Sequence, residues 1–164
     1  MKTRTSASLA LALACLLLLL SFAGCGATAK AEVLVDQGID LKNDGKYDEA
    51  LAAYNKAIEL DPKLADAWFF RGSLYDKLEE YELAVADYSK AIALDPSDDI
   101  NFYMRGSAYE SLEMYEQALA DYGKSVELNP TDGPSYEARG YIYELLGEYE
   151  LADADYAMAA ELED

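Results

Sequence analysis

The chain has 164 residues, no histidine, two cysteines, and 13 basic against 32 acidic residues, for a formal net charge of −19. Without histidine it lacks the commonest general base and the commonest metal ligand, and a surface this acidic repels nucleic acid and anionic head groups. With 52% apolar residues it still has ample material for a packed core.

The first element in chain order is a leader. Lys2 and Arg4 form a positive start, Leu9 to Ala23 form an apolar stretch rich in leucine and alanine, and Ala23-Gly24-Cys25 is a junction of small residues. That is the pattern of a cleavable secretory segment, and the apolar stretch is shorter than the roughly 20 residues a spanning helix needs. The junction Phe22-Ala23-Gly24-Cys25 resembles the bacterial lipobox, with Phe22 where leucine is usual. The resemblance implies that residues 1–24 are removed and that Cys25 becomes a diacylated N-terminus. Cysteine usage agrees, because Cys15 lies inside the leader and leaves Cys25 without a disulfide partner. The expected address is the bacterial envelope, lipid-anchored. Gly26 rather than aspartate follows Cys25, which implies the periplasmic face of the outer membrane in a diderm, or the cell surface in a monoderm. Residues 25–30 are expected to be the lipidated end and a short tether. The leader carries two basic and no acidic residues, so the mature part has 11 against 32.

From residue 31 one period dominates. Asp61-Pro62, Asp95-Pro96 and Asn129-Pro130 recur every 34 residues, as do Gly38, Gly72, Gly106 and Gly140, and Tyr54, Tyr88, Tyr122 and Tyr156. Four units follow, 31–64, 65–98, 99–132 and 133–164. In the second unit Trp68, Gly72 and Tyr75 share one helical face, and Ala84, Tyr88 and Ala91 share another. Trp68, Gly72, Tyr75, Ala84, Tyr88, Ala91 and Pro96 together resemble the tetratricopeptide repeat. The resemblance covers nearly all of residues 31–164. It implies an all-α fold, a solenoid of eight helices of about 14 residues stacked as antiparallel pairs into a right-handed superhelix. The small Gly and Ala positions let paired helices approach, and proline ends each second helix.

Two positions vary together. Arg71, Arg105 and Arg139 are each followed 16 residues later by Asp87, Asp121 and Asp155, whereas the first unit has Gln37 and Ala53. The joint loss predicts structural ion pairs within units rather than between them.

By resemblance, a partner peptide or helix lies on the concave surface lined by the first helices. The stripe facing it reads Val35, Ile39 and Lys42, then Phe69, Ser73 and Asp76, then Tyr103, Ser107 and Glu110, then Glu137, Tyr141 and Glu144. Tyr103 and Tyr141 are the two tyrosines outside the positions where the repeat expects a large core residue. On this surface they offer area and a hydroxyl, unless they pack against neighbouring helices. Relatives that clamp chaperone tails use lysine and asparagine here. This chain has Val35, Ile39, Phe70, Ile100 and Met104 instead, so a partner with apolar and basic residues is expected.

No catalytic, metal or cofactor site is expected. Gly-rich phosphate loops and Gly-x-Ser-x-Gly turns are lacking. Residues 40–45 resemble a calcium loop only faintly, with Lys42 at a ligand position and Leu51 where the closing glutamate belongs; Gly45 is expected to end a helix. The expected function is therefore a non-catalytic scaffold for other exported or envelope proteins. Self-assembly through the last unit, which lacks an added polar cap helix, is the alternative, and a carboxylate-based hydrolase is a more distant one.

Overall fold

The computed structural model describes residues 26–163; Cys25 and the rest of the leader, with the lipid site proposed there, lie outside the described residues. The described residues form eight helices: α1 over 26–43, α2 Tyr47–Leu60, α3 Ala65–Lys77, α4 Tyr81–Leu94, α5 Asp99–Ser111, α6 Tyr115–Leu128, α7 Gly133–Leu145 and α8 Tyr149–Glu163. The starts of α3, α5 and α7 keep the 34-residue register. At the other end α1 begins ahead of it, so residues 26–30, expected as a tether, are helical. Ala27, Ala29 and Lys30 are good helix formers, and the Thr28 hydroxyl donates to Asp61, which ties this turn to the end of α2.

The turn inside each unit has a fixed geometry. Gly45, Glu79, Glu113 and Gly147 all lie in the left-handed region, with φ of +76°, +62°, +57° and +78°. The next N–H then reaches back five residues, as in Glu80 N to Tyr75 O and Met114 N to Tyr109 O, both 2.9 Å, closing the helix in a Schellman arrangement. Between units the chain leaves the helix through Asp61, Asp95 and Asn129, whose φ of −141°, −131° and −131° lie outside the helical region, as the following proline favours. Their side chains accept the N–H groups of Lys63, Ser97 and Thr131, which stabilises the turn.

Paired helices pack through glycine on tyrosine. A Cβ added to Gly106 would lie 2.9 Å from the ring of Tyr122, so only glycine admits that ring at this distance. Tyr54, Tyr88 and Tyr122 are fully buried beside Ala50, Ala84 and Ala118. The period breaks at Tyr149. Its counterparts Tyr47, Tyr81 and Tyr115 are half-buried, because the first helix of a following unit lies near them, whereas Tyr149 is 63% exposed.

Curvature follows from which helices meet. Among α2–α8, α3 touches α5 and α5 touches α7, whereas α4 does not touch α6, nor α6 touch α8. The stack therefore bends toward its first helices, which form the inner wall.

Candidate functional site: the inner wall and its clefts

Each arginine is held the same way. In Arg105, Nε and Nη2 donate to Oδ2 and Oδ1 of Asp121, both at 2.7 Å, and Arg71 to Asp87 and Arg139 to Asp155 repeat these distances. The structure thus joins each pair within its unit. The guanidinium groups also lie on aromatic rings: Arg71 is 4.9 Å from Trp68, Arg105 is 5.8 Å from both Phe102 and Tyr109, and Arg139 is 5.5 Å from Tyr136. A third nitrogen reaches the preceding unit, where Nη1 of Arg71 donates to Asn55 and Nη1 of Arg105 to Ser89. Sequence reasoning had missed this joint, although Asn55, Ser89 and Gly123 occupy one repeat position. The ion pair raises the pKa of every one of these guanidinium groups.

The stripe residues divide into three groups. At the α1–α3 end, Val35 and Ile39 meet Leu64 and Phe70 in a cleft of about 260 Å³ rimmed by Glu32, Asp36 and Asp66. Val35 is only 5% exposed, so its side chain is mostly used in the core. In the middle, Lys42 Nζ donates to Ser73 Oγ at 3.3 Å, and Phe69 packs edge-on to Phe70 at 5.2 Å and near Tyr88 at 5.8 Å. Burial pushes the Asp76 carboxyl upward and the Lys42 ammonium downward, the latter helped by Lys77. At the α5–α7 end, Tyr103, Ser107, Glu110, Glu137 and Tyr141 meet Tyr122, Pro134 and Ala138 around a cleft of about 350 Å³. Tyr122 was read from the sequence only as a recurring core tyrosine, and Pro134 and Ala138 were not singled out. Comparing the repeat position of Phe70, Met104 and Ala138 would have pointed to the last of them.

Electrostatics in the larger cleft are one-sided. The Tyr122 hydroxyl donates to Glu110 Oε2 at 2.6 Å, and Tyr156 donates likewise to Glu144 Oε2 at 2.9 Å. Tyr103 is pushed upward by burial first, then by the carboxylates of Asp132, Glu110 and Glu137. Burial alone takes Tyr54 up to about 12, and it drives Tyr88 and Tyr122 higher still. Among the described residues, no group of three or more Cys, Asp or Glu is arranged to hold a metal ion, and no helix is long and apolar enough to cross a membrane.

Known proteins share this architecture. Family profiles described as tetratricopeptide repeat match residues 35–99, 102–132 and 122–154. The first tetratricopeptide domain of Spaghetti (RPAP3), solved bound to the HSP90 peptide SRMEEVD, is 32% identical, covers 73% of this chain and 95% of its own, and superposes with a TM-score of 0.71. MamA of Desulfovibrio magneticus is 27% identical over 81% of this chain and 75% of its own, with a TM-score of 0.75. An uncharacterized protein of Methanocaldococcus jannaschii is 48% identical over 40 residues, 24% of this chain and 46% of that protein, so the match spans less than half of that relative. By its repeat register, its helix pairs and these matches, the chain belongs to the tetratricopeptide repeat family.

Proposed function

We propose that this chain is a non-catalytic adaptor of the bacterial envelope, anchored through a lipid on Cys25, which holds a peptide or helix of another exported protein along its inner wall. The observation that carries the reading is the placement of the stripe. Residues spaced along four first helices line a surface that ends in two clefts, of about 260 and 350 Å³, on the side toward which the stack bends. The Spaghetti (RPAP3) domain, of the same repeat architecture, was solved with a peptide. That peptide is acidic, and it is a poor fit for Asp76, Glu110, Glu137 and Glu144; an apolar and basic segment suits them.

The test is a pull-down from solubilised membranes with the full chain, comparing wild type with the triple variant Phe69→Ala, Tyr103→Ala, Tyr141→Ala. Loss of a specific exported protein in the triple variant supports the reading, and retention of every partner sinks it. Self-assembly is the second reading, favoured by Val33 and Tyr149, which stay 65% and 63% exposed although their repeat positions are buried or half-buried elsewhere. Light scattering in the tens of micromolar range separates the two, since a monomer argues against assembly.

A further inference from the structure

The α5–α7 cleft is the larger of the two inner-wall clefts, and it lies where one repeat position has shrunk along the chain. That position holds Phe70, then Met104, then Ala138. Phe70 packs into the α1–α3 core with its ring 6.5 Å from that of Tyr54, and Met104 packs on the cluster of Ala84, Tyr88 and Ala108. Ala138 has only a methyl group to offer, and it lines a cleft of about 350 Å³, against about 260 Å³ at the α1–α3 joint where Phe70 stands. Three positions further along α7 the trend reverses. Ile39, Ser73 and Ser107 give way to Tyr141, whose ring stands 45% exposed at the cleft wall.

The chemistry of that space is specific. Its walls are the rings of Tyr103 and Tyr141, its charged groups are Glu110 and Glu137, and no cationic side chain lines it. Glu110 is held in place by the hydroxyl of Tyr122, which is 1% exposed, at 2.6 Å. A volume near the lower end of small-ligand sites accommodates one long side chain with its water. A flat cation on an apolar stem satisfies every wall, because a guanidinium stacks on tyrosine faces while its N–H groups pair with carboxylates. We propose that this cleft is the subsite for a single arginine side chain of the bound partner, an exported protein with a basic anchor. The proposal rests on the inner-wall reading given above and names what that wall recognises.

The experiment needs no partner protein, so its failure is distinct from failure of the pull-down. The full chain in mild detergent is titrated with N-acetyl-arginine amide, with its uncharged citrulline counterpart and with N-acetyl-lysine amide. Magnetic resonance reads the Ala138 methyl and the rings of Tyr103 and Tyr141. Saturable shifts with the arginine probe are expected, with the citrulline probe about tenfold weaker for lack of charge-assisted bonds. Ala138→Met copies the side chain that Met104 supplies one unit earlier, and it should abolish the shifts while leaving the melting curve intact. Glu137→Gln, at an exposed position, should weaken binding about fivefold and reduce its salt dependence. Equal binding of citrulline, unchanged shifts in Ala138→Met, or no saturable shift at Ala138 each overturn the proposal. A lysine probe that binds as tightly as arginine overturns the assignment to arginine.

Discussion

Arg105 carries three kinds of interaction at once: two bonds to Asp121, one to Ser89 in the preceding unit, and stacking on Phe102 and Tyr109. Its side chain is 19% exposed and that of Asp121 only 7%, so truncation leaves a desolvated carboxylate without its partner. We expect Arg105→Ala to cost about 3 kcal/mol in denaturant unfolding, without loss of a ligand contact. Lysine cannot reproduce the planar fork, and Arg105→Lys should recover only part of that stability. The pairing was legible in the sequence because unit one loses both members together. The reach to Ser89 was not, since an arginine offers five donors and spacing alone does not say where the third one goes. Val35 illustrates the converse: spacing placed it on the stripe, but side-chain depth decided that it belongs mostly to the core.

Buried tyrosines set the response to alkali. The folded-state value for Tyr54 is about 12 against an ordinary 10.0, and Tyr88 and Tyr122 lie higher for the same reason of burial. Because the folded values lie above the unfolded one, the stability tied to these hydroxyls is complete below pH 10 and is lost as pH rises from 10 through 12. Each tyrosine that ionises only on unfolding removes about 1.4 kcal/mol per pH unit in that window. We expect helical circular dichroism to collapse in one step there, together with the rise in tyrosinate absorbance. Absorbance that rises while the helices persist would contradict this account.

At the scale of elements, the turns inside the units are uneven. All four need a positive φ, yet only Gly45 and Gly147 supply a residue that adopts it without strain; Glu79 and Glu113 do not. Replacing Glu113 by glycine should raise stability by about 0.5–1 kcal/mol, net of the greater freedom that glycine adds to the unfolded chain, and chemical denaturation would read it. The sequence revealed Gly45 as a helix end. It concealed the equal geometry at Glu79 and Glu113, because glutamate ordinarily favours helix and the turn is imposed by the packing of the helices on either side. Residues 26–30 escaped detection for a related reason. A short run of small residues reads as a tether until it finds a surface, and here Thr28 finds Asp61 at the end of α2.

At the scale of the molecule, a repeat array is a chain of nearly identical joints, and its period made the fold plain from Gly, Ala, Tyr and Pro positions alone. What the period hides is where the units differ, and three of the differences that bear on the inner wall and the joints meet at the last joint. Ala138 lines a cleft there, Tyr141 walls it, and Gly123 stands where Asn55 and Ser89 receive the arginine of the following unit. A Cβ added to Gly123 would still lie 3.9 Å from Arg139 Nη1, so a larger side chain fits, and Gly123→Ser should stabilise the fold by about 1 kcal/mol by restoring the bond and removing a helical glycine.

The arginine bond missing at that joint also bears on how motion is distributed. Amide hydrogen exchange in α7 and α8 should slow markedly in Gly123→Ser, because this joint keeps the buried Ser125–Ser135 hydroxyl bond at 2.9 Å but lacks the arginine bond that ties the earlier units together. Opening at this joint would move the wall carrying Glu137 and Tyr141 against the wall carrying Tyr103 and Glu110. A groove built this way adjusts its width to the side chain it receives, and Gly123→Ser would narrow the range of partners it accepts.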